Sequence, residues 1–185
     1  MRTEERFNQI KPKIAKDIFP ARICADLLRI KNINIPKYPK DKHGIYIYSN
    51  KTATGKTLTA CALLIEWEKE RYLQNISGRG VFLSASELFY ELKIAFTTGE
   101  NIIDKYRKNP NLLVIDDLGD TKPSEWARQE FLLLLNYRYE HLLPTCFTSN
   151  MSLKDLEKYY GDERITSRIE RMCDVLEKSD WRKEK

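Results

Sequence analysis

The sequence lacks several features that would assign it to other classes of protein. No apolar run among its 185 residues approaches the length of a membrane span, and its charged start does not follow the pattern of a signal peptide. The four cysteines lack the close pairing of a zinc site, and three of them lie in apolar or amphipathic stretches, as buried thiols do. We therefore expect a cytoplasmic protein with reduced cysteines and no contact with a membrane.

Repeats, low-complexity tracts and metal-ligand clusters are also missing. The chain shows no internal repeat, and its two histidines, His43 and His141, stand without neighbouring residues of the kind that bind metals. A chain of this length, 42% of it hydrophobic, can bury one sizeable core but has no room for a second domain of normal size. We therefore expect one main domain.

The positive charge of the chain is concentrated at one end. Residues 1–43 contain 11 Lys and Arg against 5 Asp and Glu, whereas residues 44–185 contain 21 against 22. A basic segment is typical of contact with nucleic acid, but a solvated flank has the same composition. Its four prolines favour short helices and turns over one long helix. The sequence thus predicts a basic N-terminal arm over residues 1–43 and the main domain over residues 44–185.

One motif predicts nucleotide binding. Residues 50–57 read NKTATGKT and match the phosphate-binding pattern G-x-x-x-x-G-K-[ST] at every fixed position except the first. A strand-like run precedes them and a predicted helix follows, so that backbone N–H groups and a helix N-terminus face the phosphates. In this pattern Gly55 allows close approach of the backbone, Lys56 reaches the β- and γ-phosphates, and the Thr57 hydroxyl binds Mg²⁺. The predicted cofactors are ATP and Mg²⁺, and the predicted binding residues are Asn50, Lys51, Thr52, Ala53, Thr54, Gly55, Lys56, Thr57 and Leu58.

Asn50 is the departure from this pattern, because it stands where the first glycine is expected. Asn tolerates a positive φ better than most residues, so the turn can survive, but we expect slower hydrolysis. A chance Gly-Lys-Thr triplet in an ordinary turn is the alternative interpretation. A second motif bears on the choice.

The second motif is the run LLVIDD over residues 112–117. An apolar run of this kind is typical of a strand buried on both faces, and here it ends in two carboxylates. We expect Asp116 to hold Mg²⁺ and Asp117 to polarise the attacking water as general base. A strand that ends in an Asx turn explains one Asp more readily than two. The two motifs together favour a nucleotide site.

The rest of the chain alternates strand-like and helix-like stretches, which predicts an α/β fold with a parallel sheet between helices. The predicted strands lie near 44–48, 80–84, 111–116 and 145–149. The predicted helices lie near 56–73, 86–96 and 125–141, with a shorter one around 100–107.

Two features of the C-terminal third are candidate site components. The strand-like run 145–150 ends in small polar residues, and Asn150 is placed to orient the attacking water, although residues 149–152 also read as a helix cap before residues 153–160. Arg164 and Arg168 are four residues apart and share one helix face. That face is either solvated or supplies a guanidinium to the γ-phosphate of a neighbouring subunit.

These stretches resemble the AAA+ ATPases of the DnaC/DnaI helicase-loader and IstB family, and the resemblance covers roughly residues 44–182. The matching stretches are 55–57, 113–119, 136–139, 148–150, 161–164, 167–169 and 180–182. The resemblance implies a three-layer P-loop fold with a very short C-terminal lid. It also implies a homo-oligomer that acts on DNA.

The resemblance also implies roles for single residues. Asn150 matches the sensor 1 residue, Arg168 the arginine finger that acts on a neighbour's ATP, Arg164 a basic residue of the same motif, and Arg182 the sensor 2 arginine. An insertion of the family maps near residues 98–109, where Lys105, Arg107 and Lys108 are candidates for contact with single-stranded DNA. Because about 43 residues precede the first strand, we expect the arm to be shorter than the N-terminal domain with which such loaders engage the helicase.

Three functions agree with these patterns. The first is an ATP-dependent loader that binds single-stranded DNA and helps to load a replicative DNA helicase. The second is a transposition helper of the IstB type, which shares the ATPase core but acts on duplex DNA for a transposase. The third is a nucleotide-gated adaptor with weak hydrolysis, and its motive is the asparagine at position 50.

Overall fold

The computed structural model describes residues 2–29, 33–39 and 42–178. Five strands form one sheet, and every pairing between them is parallel. The strands are β1 (Gly44–Tyr48), β2 (Val81–Ser84), β3 (Leu113–Leu118), β4 (Thr145–Ser149) and β5 (Cys173–Glu177). Their order across the sheet is β2-β3-β4-β1-β5, so β4 lies between the two strands that carry the sequence motifs.

Eight helices connect and cover the strands in the described part of the chain. They are α1 (Glu4–Ile18), α2 (Ala21–Arg29), α3 (Lys56–Leu73), α4 (Ala85–Thr98), α5 (Ile103–Arg107), α6 (Glu125–Glu140), α7 (Leu153–Tyr160) and α8 (Glu163–Met172). Ser84, Ser124 and Ser152 begin α4, α6 and α7 as N-caps, because each hydroxyl accepts a backbone N–H of the first turn. Within these ranges no helix is long and apolar enough to cross a lipid bilayer.

The pleat of the strands divides the core into two layers. Tyr46 and Phe147 point to one face of the sheet, where they pack with residues of α4 to α8. Ile45 and Cys146 point to the other face, where they pack with α1, α2 and α3. Helices therefore cover both faces of a parallel sheet, as the sequence predicts.

The predicted elements are confirmed with two differences. The strand predicted over 111–116 ends later, at Leu118, so both acidic residues of the second motif belong to it. The edge strand β5 was not predicted, because four of its five residues are exposed and carry no continuous apolar pattern. The predicted short C-terminal lid would follow β5, where the structure describes only Lys178.

The helices of the predicted N-terminal arm pack against the rest of the described chain. Phe7 and Ile14 of α1 are buried in the same cluster as Ile45 of β1, and Phe19 contacts the ring of Phe82. The 15-residue α1 continues through Pro12, so this part of the arm is longer and more regular than its prolines suggest. The division of the chain at residue 43 stays a prediction.

One fully buried arginine joins two connections of the sheet. Arg138 of α6 is 0% exposed, and all five of its guanidinium N–H groups donate hydrogen bonds. The acceptors are the Thr145 hydroxyl and the carbonyl oxygens of Tyr106, Asn109, Asn111 and Pro144, at 2.6 to 3.1 Å. Burial lowers the pKa of the Arg138 guanidinium to about 10, which leaves it charged at neutral pH. The side chain thus ties the segment before β3 to the segment before β4.

Candidate nucleotide-binding site

The candidate site lies at the edge of the sheet where the parallel strands end. The loop 49–55 follows β1, two acidic residues lie in the last half of β3, and Asn150 follows β4. Because β4 is the neighbour of both β1 and β3, these three segments come together. Ligands of open parallel sheets bind at this edge.

The loop after β1 forms a turn whose left-handed residues are Ala53 and Gly55. Their φ angles are 57° and 81°, and Gly55 is the N-cap of α3. No side chain caps this helix end among the described residues, which leaves N–H groups of the first turn for phosphate oxygens. Asn50 is exposed and does not adopt a left-handed φ. The tolerance of asparagine for positive φ is therefore not used, and the backbone offers no support for an impaired loop at this position.

Ala53 is instead the residue whose left-handed backbone conformation costs free energy. A left-handed φ costs a residue with a Cβ about 1–2 kcal/mol, whereas glycine adopts it freely. Glycine relieves this cost but adds entropy to the unfolded chain, and the two effects oppose each other. We therefore predict that Ala53→Gly leaves the free energy of unfolding unchanged or raises it by about 0.5 kcal/mol. Asn50→Gly, the matched control, gains no such relief and should lower the same free energy. Urea unfolding measures both, and the reverse order of the two variants would contradict the assignment.

Lys56 is held inside the loop. Its side chain is 6% exposed, and Nζ donates to the Lys51 carbonyl at 3.3 Å and lies 3.5 Å from the Thr54 hydroxyl. Burial lowers the pKa of Lys56, while Asp117 and Asp116 act in the opposite direction. The ammonium group is thus wrapped by the loop whose ligand it is predicted to contact.

A hydrogen bond joins the two sequence motifs. Thr57 Oγ1 donates to Asp116 Oδ2 at 3.1 Å, although the two residues are 59 positions apart in the chain. Asp116 is 5% exposed, and this burial raises the pKa of its carboxyl group to about 6. The Asp116 carboxylate has oxygen atoms that can act as ligands for a cation.

Asp117 lies beside Asp116 but has a different environment. It is half-buried and adopts a left-handed φ of 57°. Burial raises the pKa of its carboxyl group, and the nearby Lys56 opposes this shift. A partly exposed carboxylate with a raised pKa has the properties expected of a general base.

The residues of this site fit Mg²⁺. The ion is bound in proteins by one or two carboxylates together with the phosphates of the substrate, and Asp116 and Thr57 present adjacent oxygen atoms. No cluster of three or more His, Cys, Asp or Glu side chains suited to a metal occurs in the described ranges.

Asn150 emerges between the loop and the acidic pair. It is exposed, and the preceding Ser149 is fully buried, where its hydroxyl donates to the Leu118 carbonyl at 2.6 Å and accepts the Met151 N–H. Ser152, not Asn150, caps the next helix. The predicted helix cap before residues 153–160 is therefore confirmed, with Ser152 as the cap residue, and the role of Asn150 toward water stays a prediction.

The two predicted arginines have partners outside the loop. Arg164 donates two hydrogen bonds to the Asp162 carboxylate, from Nε at 2.9 Å and from Nη2 at 2.8 Å. The Arg164 side chain is otherwise exposed. Arg168 Nε donates to Asn136 Oδ1 at 2.6 Å, and its guanidinium lies 5.4 Å from the centre of the Tyr139 ring. These contacts hold the side chain of Arg168, a residue of α8, against α6. Arg182 lies outside the described residues.

The three basic side chains predicted to meet DNA form ion pairs within the protein. Asp104 pairs with both Arg107 and Lys108, and Lys105 pairs with Glu91. The pKa of Asp104 is lowered by its hydrogen bond with Lys108 and by the charge of Arg107. Net positive charge in this segment is therefore smaller than a count of its lysines and arginines suggests.

Two residues near the site were not singled out from the sequence. Thr148 of β4 donates to Asp116 and accepts the backbone N–H of Asp117. Lys178 follows β5, and its ammonium group donates to the hydroxyl of Thr59 in α3. The sequence could have indicated Thr148, because it is a polar residue inside a strand that is predicted to be buried. No local pattern indicates Lys178.

Comparisons with known proteins agree with this geometry. Residues 19–180 match the family of IstB-like ATP binding proteins. The replicative helicase loader DnaI of Bacillus subtilis (strain 168) is 29% identical over 120 residues, which cover 63% of this chain and 36% of that protein. The chain spans between 36% and 58% of the length of the curated relatives it matches.

Solved structures show the same fold. The crystal structure of the DnaC helicase loader has a TM-score of 0.63 and 26% identity, and the match covers 89% of this chain and 96% of that one. The crystal structure of DnaI has a TM-score of 0.62 and 27% identity, and the match covers 90% and 93% of the two chains. These similarities confirm the predicted AAA+ type of P-loop fold and the predicted family resemblance.

Proposed function

The chain belongs to the family of IstB-like ATP binding proteins, and we propose that it is an ATPase that helps to load a replicative DNA helicase onto single-stranded DNA. The observation that carries the proposal is the hydrogen bond between Thr57 and Asp116, which places the phosphate-binding loop against the acidic pair. The similarity to the DnaI and DnaC loaders supports the choice of partner.

Each group of residues in the site has its own role in hydrolysis. The loop N–H groups and Lys56 would bind the phosphates, and Thr57 and Asp116 would hold Mg²⁺, which would offset negative charge on the phosphates. Asp117 accepts the proton of the attacking water, and Asn150 orients that water. An arginine beside the γ-phosphate would stabilise the negative charge that develops there.

Arg168 supplies this cation in a neighbouring subunit of a homo-oligomer. Its contacts with Asn136 and Tyr139 fix the guanidinium on the surface of α6 and α8. An arginine held away from its own loop can act on a second copy of the chain. An arginine of this kind contributes about 10³–10⁵ to the rate of phosphoryl transfer.

Arg168→Ala tests the shared site. We predict that DNA-stimulated ATP turnover falls by about 100-fold or more, while Arg171→Ala, an exposed arginine of the same helix, leaves it unchanged. Mixing Arg168→Ala with Lys56→Ala should restore part of the turnover, because the second variant still provides Arg168 to the intact loop of the first. Unchanged ATP turnover in Arg168→Ala would contradict the proposed role of Arg168.

Contact with single-stranded DNA is part of the proposal. Phe96 is 66% exposed, and its ring centre lies 5.1 Å from that of Trp126 beside a cavity of about 400 Å³. Exposed aromatic rings are typical stacking partners for unpaired bases. The cavity adjoins residues 98–109, the segment predicted from the sequence to meet DNA, and it includes Arg107.

A transposition helper is the second candidate, and the family match itself favours it. Such a protein would use the same ATP site but bind duplex DNA next to a transposase. Titrations of duplex and single-stranded DNA at matched salt separate the two, because phosphate contacts depend strongly on salt. Preference for long duplex would support the helper, and preference for single strands would support the loader.

A further inference from the structure

The strand that carries the acidic pair is irregular at the pair itself. Ile115 of β3 is opposite Phe147 of β4, and Leu118 is opposite Ser149. Three steps along β3 therefore match two steps along β4, which defines a β-bulge with one extra residue. Asp116 and Asp117 are the residues inside the bulge, and the left-handed φ of Asp117 belongs to it. A bulge changes the direction of side chains and leaves a ladder N–H without its usual partner.

Thr148 of β4 lies opposite the bulge and provides the acceptor for the N–H that the bulge leaves without its usual partner. Its Oγ1 accepts the Asp117 N–H at 2.9 Å and donates to Asp116 Oδ1 at 2.5 Å. The direction of both bonds is forced, because a backbone N–H can only donate and a hydroxyl carries a single proton. Thr148 is 0% exposed, so water cannot replace either bond.

We propose that Thr148 is a positioning residue that aims Asp116 and Asp117 at the nucleotide and its Mg²⁺. The inference rests on the proposed function. Thr57 Oγ1 can turn a lone pair toward Mg²⁺ while its proton stays on Asp116 Oδ2, so the hydrogen bond between them does not have to open. The bond from Thr148 holds Asp116 Oδ1, and it thereby fixes where Oδ2 points.

This arrangement predicts an effect confined to the Mg²⁺-dependent part of nucleotide binding. Lys56 and the loop N–H groups bind the phosphates without Thr148, whereas Asp116 contributes only through the metal ion. A hydrogen bond to a charged group contributes about 1.5–3 kcal/mol, which corresponds to a factor of about 10 or more in affinity.

The experiment compares Thr148→Val, Thr148→Ser and the wild type by calorimetric titration of a non-hydrolysable ATP analogue, with excess Mg²⁺ and with EDTA. In EDTA we expect the valine variant to bind within about twofold of the wild type. Adding Mg²⁺ should raise the affinity of the valine variant by a factor about tenfold smaller than it does for the wild type. The serine variant should recover most of the wild-type factor. Thr166→Val is the matched control, because it removes a buried threonine hydroxyl on α8 whose bonds go to Glu157 and Glu163.

The outcomes separate the inference from the function on which it rests. A wild type without any Mg²⁺-dependent gain would contradict the proposed ATPase. A normal gain in Thr148→Val, or an equal loss with and without Mg²⁺, would overturn the role of Thr148. If the valine variant does not fold, Thr148→Ala, which cannot overpack the strand, is measured in the same way and with the same two expected results.

Discussion

Arg138→Met is expected to lower the free energy of unfolding by about 3–5 kcal/mol, because several buried acceptors lose their donor and an unsatisfied buried group costs about 1–3 kcal/mol. The five acceptors of Arg138 are four backbone carbonyls and one hydroxyl. Methionine fills a similar volume but donates nothing, so all five groups lose the arginine as donor. The Pro144 carbonyl keeps the Leu113 N–H, and the Thr145 hydroxyl keeps its bond to the Leu143 carbonyl. The two connections that lead into β3 and β4 should loosen together.

Urea unfolding of the nucleotide-free protein measures this effect. Arg138→Lys should fall between methionine and the wild type, since an ammonium group has three donors and cannot match the planar guanidinium. Arg29→Met is the control, because Arg29 forms an exposed pair with Asp26 and should change the free energy of unfolding by less than about 0.5 kcal/mol. Equal values for Arg138→Met and Arg29→Met would refute the account of the buried network.

Lys56→Met should reduce ATP turnover by about 100-fold or more, because it removes a preorganised cation from the site where phosphate charge develops. The same change should alter the free energy of unfolding by less than about 1 kcal/mol, since burial already disfavours the charged form of this lysine. A large loss of turnover with little loss of stability is the signature of a functional residue.

The control is Lys69→Met, in the same helix but in ion pairs with Glu4 and Glu66 outside the loop. It should keep the turnover of the wild type. ATP hydrolysis by steady-state assay and unfolding by urea are measured on the same preparations. Turnover retained in Lys56→Met would show that the loop does not bind the reacting phosphates.

Local patterns in the sequence predict most of the fold. Strands β1 to β4 have apolar runs, and the loop and acidic pair have fixed spacing, so periodicity and motif are sufficient for them. The exposed edge strand β5 has no such pattern. The packing of α1 against α3 was also not predicted, because it depends on which distant apolar residues share a core.

The candidate site shows the same limit. Residues of the two motifs were identified, but the roles of Thr148 and Arg138 depend on which strands and connections become neighbours. An arginine in an amphipathic helix is normally exposed, so its burial could not be expected. The left-handed φ of Ala53 is likewise a property of the folded loop, whereas the sequence pattern pointed to Asn50.

The central claim is that ATP binding at this site places a replicative helicase on single-stranded DNA. The most direct measurement uses closed circular single-stranded DNA, which has no ends for threading, and counts the helicase of the source organism that resists a high-salt wash. We predict retention with wild-type protein and ATP, and none with Lys56→Met or without ATP. Helicase retained to the same extent without this protein, or absent while ATP turnover is intact, would contradict the claim.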